Sequence, residues 1–184
     1  MATTKYGYDE FALEMFQDEF VSLLNSLSNP SERAQADLHK RLNEGGGTAD
    51  YCTWYLRVLT ACKLKSDPER FAGFLCFEDG MTGTAGEYVH NPHLSPSENI
   101  AEFCLKEVEP MGRECTMVQV LALAEFMGVT VAIEYLDGRP FEEERGLVVH
   151  EFAVESEEDG QEGGRKRSKV TLLYRPGHYD ILYT

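Results

Sequence analysis

The amino-acid sequence predicts an α+β fold in which helices come first and a small, mostly antiparallel sheet comes last. Apolar residues recur at three- and four-residue spacing as far as Met127, the period of one face of a helix. After Gly128 the period falls to two and β-branched residues accumulate, the pattern of strands. The chain has 184 residues, 42% of them hydrophobic, which suits one domain with a real core and argues against low-complexity disorder.

The elements follow in order. Phe11, Met15, Phe16, Phe20, Leu23, Leu24 and Leu27 mark an amphipathic helix over about residues 9 to 28, stopped by Asn29-Pro30. A weaker helix runs through Leu38 and Leu42 to Gly45-Gly46-Gly47. Thr48 is placed to cap the next, whose apolar run includes Tyr51, Trp54, Tyr55, Leu56, Val58, Leu59 and Cys62. Asp67-Pro68 has the cap-then-proline order of a further start, leading to Phe71 and Phe74. Residues 79–96 read as a surface loop. Ser95-Pro96-Ser97-Glu98 has capping-box spacing and opens a helix through Ile100, Phe103 and Val108 that stops before Pro110. The last helix runs from Met117 to Met127 with Gly128 as its cap. Strands are expected at 129–135, 148–154, 169–174 and 178–183, with Asp137-Gly138 as a turn and 155–168 as a charged, Gly-rich surface loop.

Charge restricts the partners. There are 32 acidic and 17 basic residues, a net charge of −15, so the field repels phosphate. Nucleic acid and anionic membrane are excluded as main partners, whereas a basic protein is allowed. No apolar run reaches the roughly 18 to 20 residues of a membrane span, and the first residues lack the apolar stretch of a signal peptide. The cysteines, at 52, 62, 76, 104 and 115, are odd in number and contain no Cys-x-x-Cys. A disulfide framework and a structural zinc site are therefore not expected. Reduced thiols point to the cytoplasm, with the nucleus also open.

Among the histidines, His39 reads as solvated and His150 as a partly buried strand residue. His90 and His93 have His-x-x-His spacing but no acidic or thiol cluster beside them, so no metal site is assigned. His178 opens a strand after Pro176-Gly177, and Asp180 follows two residues later. Positions i and i+2 of a strand share a face, so the carboxylate can fix the imidazole tautomer and leave the other nitrogen as a base. His-x-Asp pairs also occur on strands without function, and such a base needs a nucleophile from elsewhere in the fold.

The run Val170-Thr-Leu-Leu-Tyr-Arg-Pro-Gly-His-Tyr-Asp-Ile-Leu-Tyr183 resembles the end of the otubains, cysteine proteases of the OTU superfamily that remove ubiquitin. Tyr55-Leu-Arg-Val-Leu-Thr60, Glu102-Phe-Cys-Leu-Lys-Glu-Val-Glu-Pro-Met111 and Val131-Ala-Ile-Glu-Tyr135 agree in the same order. The resemblance runs from about Tyr8 to Tyr183 and implies an OTU-type, papain-like cysteine protease fold over residues 1–184. It also implies His178 as catalytic base, Asp180 as its orienting acid, and no cofactor. Ubiquitin, ubiquitinated proteins and ubiquitin-conjugating enzymes are the implied partners, and the acidic chain suits a basic recognition face on ubiquitin.

One feature departs from the family. Otubains carry their nucleophile in an N-terminal Asp-Gly-Asn-Cys-Phe-type motif, which this sequence lacks. The front of the domain is therefore expected to be missing. Cys52, Cys62, Cys76 and Cys104 lie in apolar contexts and read as core. Cys115 alone has a local argument for reactivity, since the start of the last helix could lower its pKa. Three readings stay open at this level: a deubiquitinase whose nucleophile segment is absent, an inactive protein that binds ubiquitin or a conjugating enzyme, and a fragment without stable function.

Overall fold

The computed structural model describes residues 3–28, 31–78, 88–136, 147–152, 169–175 and 178–183. The expected features at Asn29-Pro30, residues 79–87, Asp137-Gly138, residues 153–168 and Pro176-Gly177, and the side chain of Cys76, lie outside the described residues. A short 3-10 turn, Thr3–Tyr6, precedes α1 (Glu10–Ser26), α2 (Glu32–Asn43), α3 (Thr48–Ser66), α4 (Pro68–Glu78) and α5 (Pro96–Phe103). A π-helical turn, Cys104–Val108, leads to α6 (Met117–Met127). Strands β1 (Thr130–Tyr135), β2 (Val148–Phe152), β3 (Lys169–Arg175) and β4 (His178–Leu182) follow. Helices first and strands last is thus the observed α+β order. Among the described residues, no helix is long and apolar enough to cross a membrane.

Helix α3 is the hub of the helical layer. Its start corrects one expectation: Gly47, not Thr48, is the N-cap, at φ 82°, a left-handed conformation that favours glycine. Thr48 becomes the first helical residue, and its hydroxyl donates to Glu19 Oε1 of α1 at 2.6 Å. Arg41 of α2 donates to the same carboxylate at 3.1 Å, so Glu19 joins three helices. The Thr48 bond, then the Arg41 bond, hold its pKa below the ordinary range. Further along α3, Val58 and Cys62 bury against Leu13, and Ala61 and Leu64 enter the main core with Phe71, Leu75, Ile100 and Val118.

Helix α1 is amphipathic as expected, but only part of its apolar surface is covered. Leu13 and Leu23 are buried. Phe16 packs on Trp54 at 4.4 Å between ring centroids, and Phe20 on Tyr55 at 5.6 Å. Phe11, by contrast, is 84% exposed. Apolar residues occur on more than one face of α1, and α3 covers a single strip.

The capping box at Ser95 forms as read: Ser95 Oγ accepts from Glu98 N, while Glu98 Oε2 accepts from Ser95 N at 2.8 Å. The helix it opens does not stay α-helical to Val108. It widens into the π turn, with Glu109 N bonded to Cys104 O at 2.9 Å, and Pro110 follows. Buried Arg57 of α3 holds this exit, donating to the carbonyls of Val108 (2.8 Å), Glu107 (3.4 Å) and Arg113. Beside it, Lys65 donates to Glu109 at 3.0 Å and to Tyr8 Oη at 2.9 Å, while Tyr8 donates to Glu109 at 2.5 Å.

The sheet order is β2-β1-β3-β4. The outer pairs, β1–β2 and β3–β4, are antiparallel, as expected of a mostly antiparallel sheet. The central β1–β3 pair is parallel, because β2 lies on the other side of β1 and the chain crosses back to reach β3. Alternation aims Val131 and Ile133 of β1, Phe152, Leu172, Tyr174 and Tyr179 at Ala124 and Val120 of α6. An aromatic row crosses all four strands on this side: His150–Tyr135, Tyr135–Tyr174 and Tyr174–Tyr179, with centroids 6.3, 4.8 and 4.7 Å apart.

Two stability outcomes follow. Replacing Arg57 with Met leaves buried carbonyls unpaired, at about 1–3 kcal/mol each. Urea unfolding should show a loss of about 3 kcal/mol, with faster amide exchange over residues 107–118; an unchanged midpoint would show that the tie is dispensable. Glu125 of α6 receives Arg70 Nη1 at 2.9 Å and Lys63 at 3.1 Å, and the Arg70 bond leads in holding its pKa down. A depressed folded pKa contributes stability above the unfolded value that is lost as pH falls through the folded one. Glu125→Gln should therefore cost about 2 kcal/mol at pH 7, and the gap to wild type should close on acidification; a pH-independent gap would contradict the assignment.

Candidate active site

The hairpin β3–β4 builds the site. Its register places Arg175 directly opposite His178, and Leu173 opposite Asp180. Side chains of opposed residues share a face, and so do those two apart on one strand. Arg175, His178 and Asp180 therefore come together on one side of the sheet. His178 Nε2 lies 3.1 Å from Asp180 Oδ1, and Arg175 Nη2 lies 3.8 Å from Asp180 Oδ2. The carboxylate thus sits between a guanidinium and an imidazole, one oxygen toward each. Both His178 and Asp180 are about half exposed, 53% and 51% by side chain, so the face opens to solvent.

The geometry sets the tautomer. A carboxylate only accepts, so the bond to Asp180 keeps the proton on Nε2 and leaves the lone pair on Nδ1. Nδ1 is then the nitrogen able to take a proton from an incoming group.

Tyr179, between the two, points to the opposite side. It packs on Tyr174 and under α6, and its hydroxyl donates to the carbonyl of Cys115 at 3.4 Å. This bond locates Cys115. Its backbone lies on the helix-facing side of the sheet, behind the strand whose front carries His178 and Asp180. Cys115 is exposed as a residue, yet enough protein surrounds the thiol for burial to raise its pKa, with the Arg57 guanidinium opposing. The direction is opposite to the lowering that the helix start was expected to bring. A thiol at a helix N-terminus gains from the dipole only if it is also hydrated or paired, and desolvation dominates here.

The other described thiols are core. Cys52, Cys62 and Cys104 are buried. Burial pushes Cys62 up to about 11 and Cys104 up to about 12, and raises Cys52 as well. Elsewhere, His39 is exposed and His150 is partly buried on β2, as expected. His90 lies with Nδ1 3.5 Å from Tyr88 Oη, whereas His93 is held through its backbone by Asn91 Oδ1. Among the described residues, no group of three His, Cys, Asp or Glu side chains converges on a point that would hold a metal.

Arg175 is the neighbour of the His178–Asp180 pair that sequence reasoning missed, since the strand before it was expected to end at residue 174. The signal was present: a Pro-Gly pair between Arg175 and His178 makes those two the closing pair of a hairpin. The Asp180→Ala variant should release His178 from the Nε2–H form. Long-range 1H–15N spectra of the ring should change from one tautomer to a mixture, and identical spectra would refute the orienting role.

Comparison with known proteins follows the same lines. The family model Peptidase C65 Otubain matches residues 1–184. Ubiquitin thioesterase OTUB1 of Rattus norvegicus is 34% identical over 178 residues, 96% of this chain and 52% of that protein. The OVARIAN TUMOR DOMAIN-containing deubiquitinating enzyme 1 of Arabidopsis thaliana is 29% identical over 180 residues, covering 96% and 53%. The solved structure of a ceOTUB1 ubiquitin aldehyde UBC13~Ub complex superposes with a TM-score of 0.68 at 25% identity, covering 98% of this chain and 60% of that one. The chain spans about half the length of the curated relatives it matches.

Proposed function

The chain belongs to the otubain family, Peptidase C65, and from that premise we propose that it serves the hydrolysis of ubiquitin conjugates, contributing the base and the orienting acid of a cysteine-protease site. The observation that carries the reading is the His178–Asp180 pair, 3.1 Å apart on an open sheet face with Arg175 behind the carboxylate. In this scheme His178 Nδ1 takes the proton from a cysteine thiol brought to that face. The thiolate sulfur attacks the carbonyl carbon joining ubiquitin's C-terminus to a lysine amine. The imidazolium then protonates the departing amine, and water resolves the thioester with His178 again as base. Asp180 holds the ring and offsets the charge it gains. Arg175 keeps Asp180 aimed at Nε2.

A second reading is binding of ubiquitin or a conjugating enzyme without turnover. One observation favours it: among the described thiols, Cys52, Cys62 and Cys104 are buried, and Cys115 is tied through its backbone carbonyl to the opposite side of the sheet. The relative solved with ubiquitin aldehyde and UBC13~Ub shows the kind of partner intended. The cytoplasm, with its reduced thiols and conjugation enzymes, is the setting we propose.

A ubiquitin bearing a C-terminal electrophile tests both readings. The chain alone should form no covalent adduct, and fluorescent ubiquitin should saturate in anisotropy; failure to saturate would remove ubiquitin from either reading. An adduct lost on Cys115→Ala would overturn the exclusion of that thiol. A longer transcript product carrying an Asp-Gly-Asn-Cys run should form an adduct that His178→Ala abolishes. Its inertness would leave binding without turnover.

A further inference from the structure

Beside the apolar strip that packs on α3, helix α1 carries a second apolar flank at Phe11, Val21 and Leu24, exposed by 84%, 43% and 45%. Together with Tyr55 of α3 and Phe126 of α6, this flank lines a groove of about 920 Å³. From Phe11 to Leu24 the flank extends about 20 Å at the rise of an α-helix, enough for roughly four turns of a second helix laid alongside.

Charge is distributed unevenly along the groove. Asp9, Glu10 and Glu14 lie at the end where α1 begins, Val21 and Leu24 at the other, and no Lys, Arg or His is among the described lining residues. Asp9 is engaged in capping α1, accepting from Phe11 N at 2.9 Å. Glu10 and Glu14 are exposed and line the groove. A second copy of the chain is a poor occupant, since each carries a net charge of −15 and would bring the same carboxylates to the contact. A cationic helix fits both ends. Lys and Arg are favoured in the last turn of a helix, where the dipole is negative. Set against Glu10 and Glu14, that turn lies beside the first turn of α1, so the two helices and their dipoles run antiparallel.

We propose that this groove docks an amphipathic helix of a partner protein, apolar on one face, basic in its last turn and antiparallel to α1. The inference is independent of the chemistry at His178, which lies on a different element.

The test uses two fluorescein-labelled sixteen-residue helical peptides of equal composition, with leucines at i, i+3, i+4 and i+7 spacing. One carries three lysines in its last turn and the other carries them in its first. Anisotropy should saturate for the first peptide with at least tenfold tighter binding than for the second. Val21→Asp should weaken it tenfold or more, and the Glu10→Lys/Glu14→Lys pair should weaken it and flatten its salt dependence. Unchanged circular dichroism melting of each variant checks that the groove is still formed; for any variant that melts early, perturbation of the Val21 and Leu24 methyl signals and the Phe126 ring signals by peptide on the parent chain takes its place. Equal binding of both peptides, indifference to Val21→Asp or failure to saturate would overturn the proposal. So would sedimentation showing a dimer that Val21→Asp dissolves, because the occupant would then be a second copy.

Discussion

A buried guanidinium and the helix end it faces satisfy one another in this protein, and much of the architecture rests on that exchange. Where α5 widens into a π turn and meets Pro110, the carbonyls of the last residues have no helical donors left. Arg57, itself buried in α3, has donors that burial has removed from water, and it bonds the carbonyls of Glu107, Val108 and Arg113. Either side alone would be costly to bury. Together they set where the chain leaves the helical core. That exit decides where α6 starts, α6 covers the inner face of the sheet, and the sheet decides which way β4 presents its side chains.

The consequence for the site is a division between two faces of one strand. Tyr179 closes an aromatic row under α6 and so fixes the rotation of β4. Strand alternation then leaves His178 and Asp180 no option but the opposite, open face. Anchoring the middle residue of a His-x-Asp triplet in a core is an economical way to hold its neighbours. The bond from Tyr179 to the carbonyl of Cys115 ties the same anchor to the start of α6, which is why the exposed cysteine stands behind the site rather than in it.

Local signals were the legible ones. The capping box at Ser95, the Pro68 helix start, the Gly128 cap and the change of period after it all depend on neighbours within a few residues, and each appears as read. Thr48 was misjudged because Gly47 takes the left-handed cap, leaving the threonine hydroxyl to a distant carboxylate. The α1 stripe was legible as amphipathic, yet periodicity could not say which of its apolar residues α3 would reach. Nor could it show that β1 and β3 run parallel, since strand order depends on crossing connections rather than on any strand's composition.

By itself, the sequence determined the α+β order, the family resemblance and the His-Asp pair, because these are written in short runs whose chemistry needs no knowledge of distant residues. The tertiary structure alone decided that Arg175 stands behind Asp180, that Nδ1 is the free nitrogen of His178, and that Cys115 lies on the other side of the sheet. Those are matters of register and facing. A shift of one residue in β4 would exchange its two faces without altering a letter of the sequence.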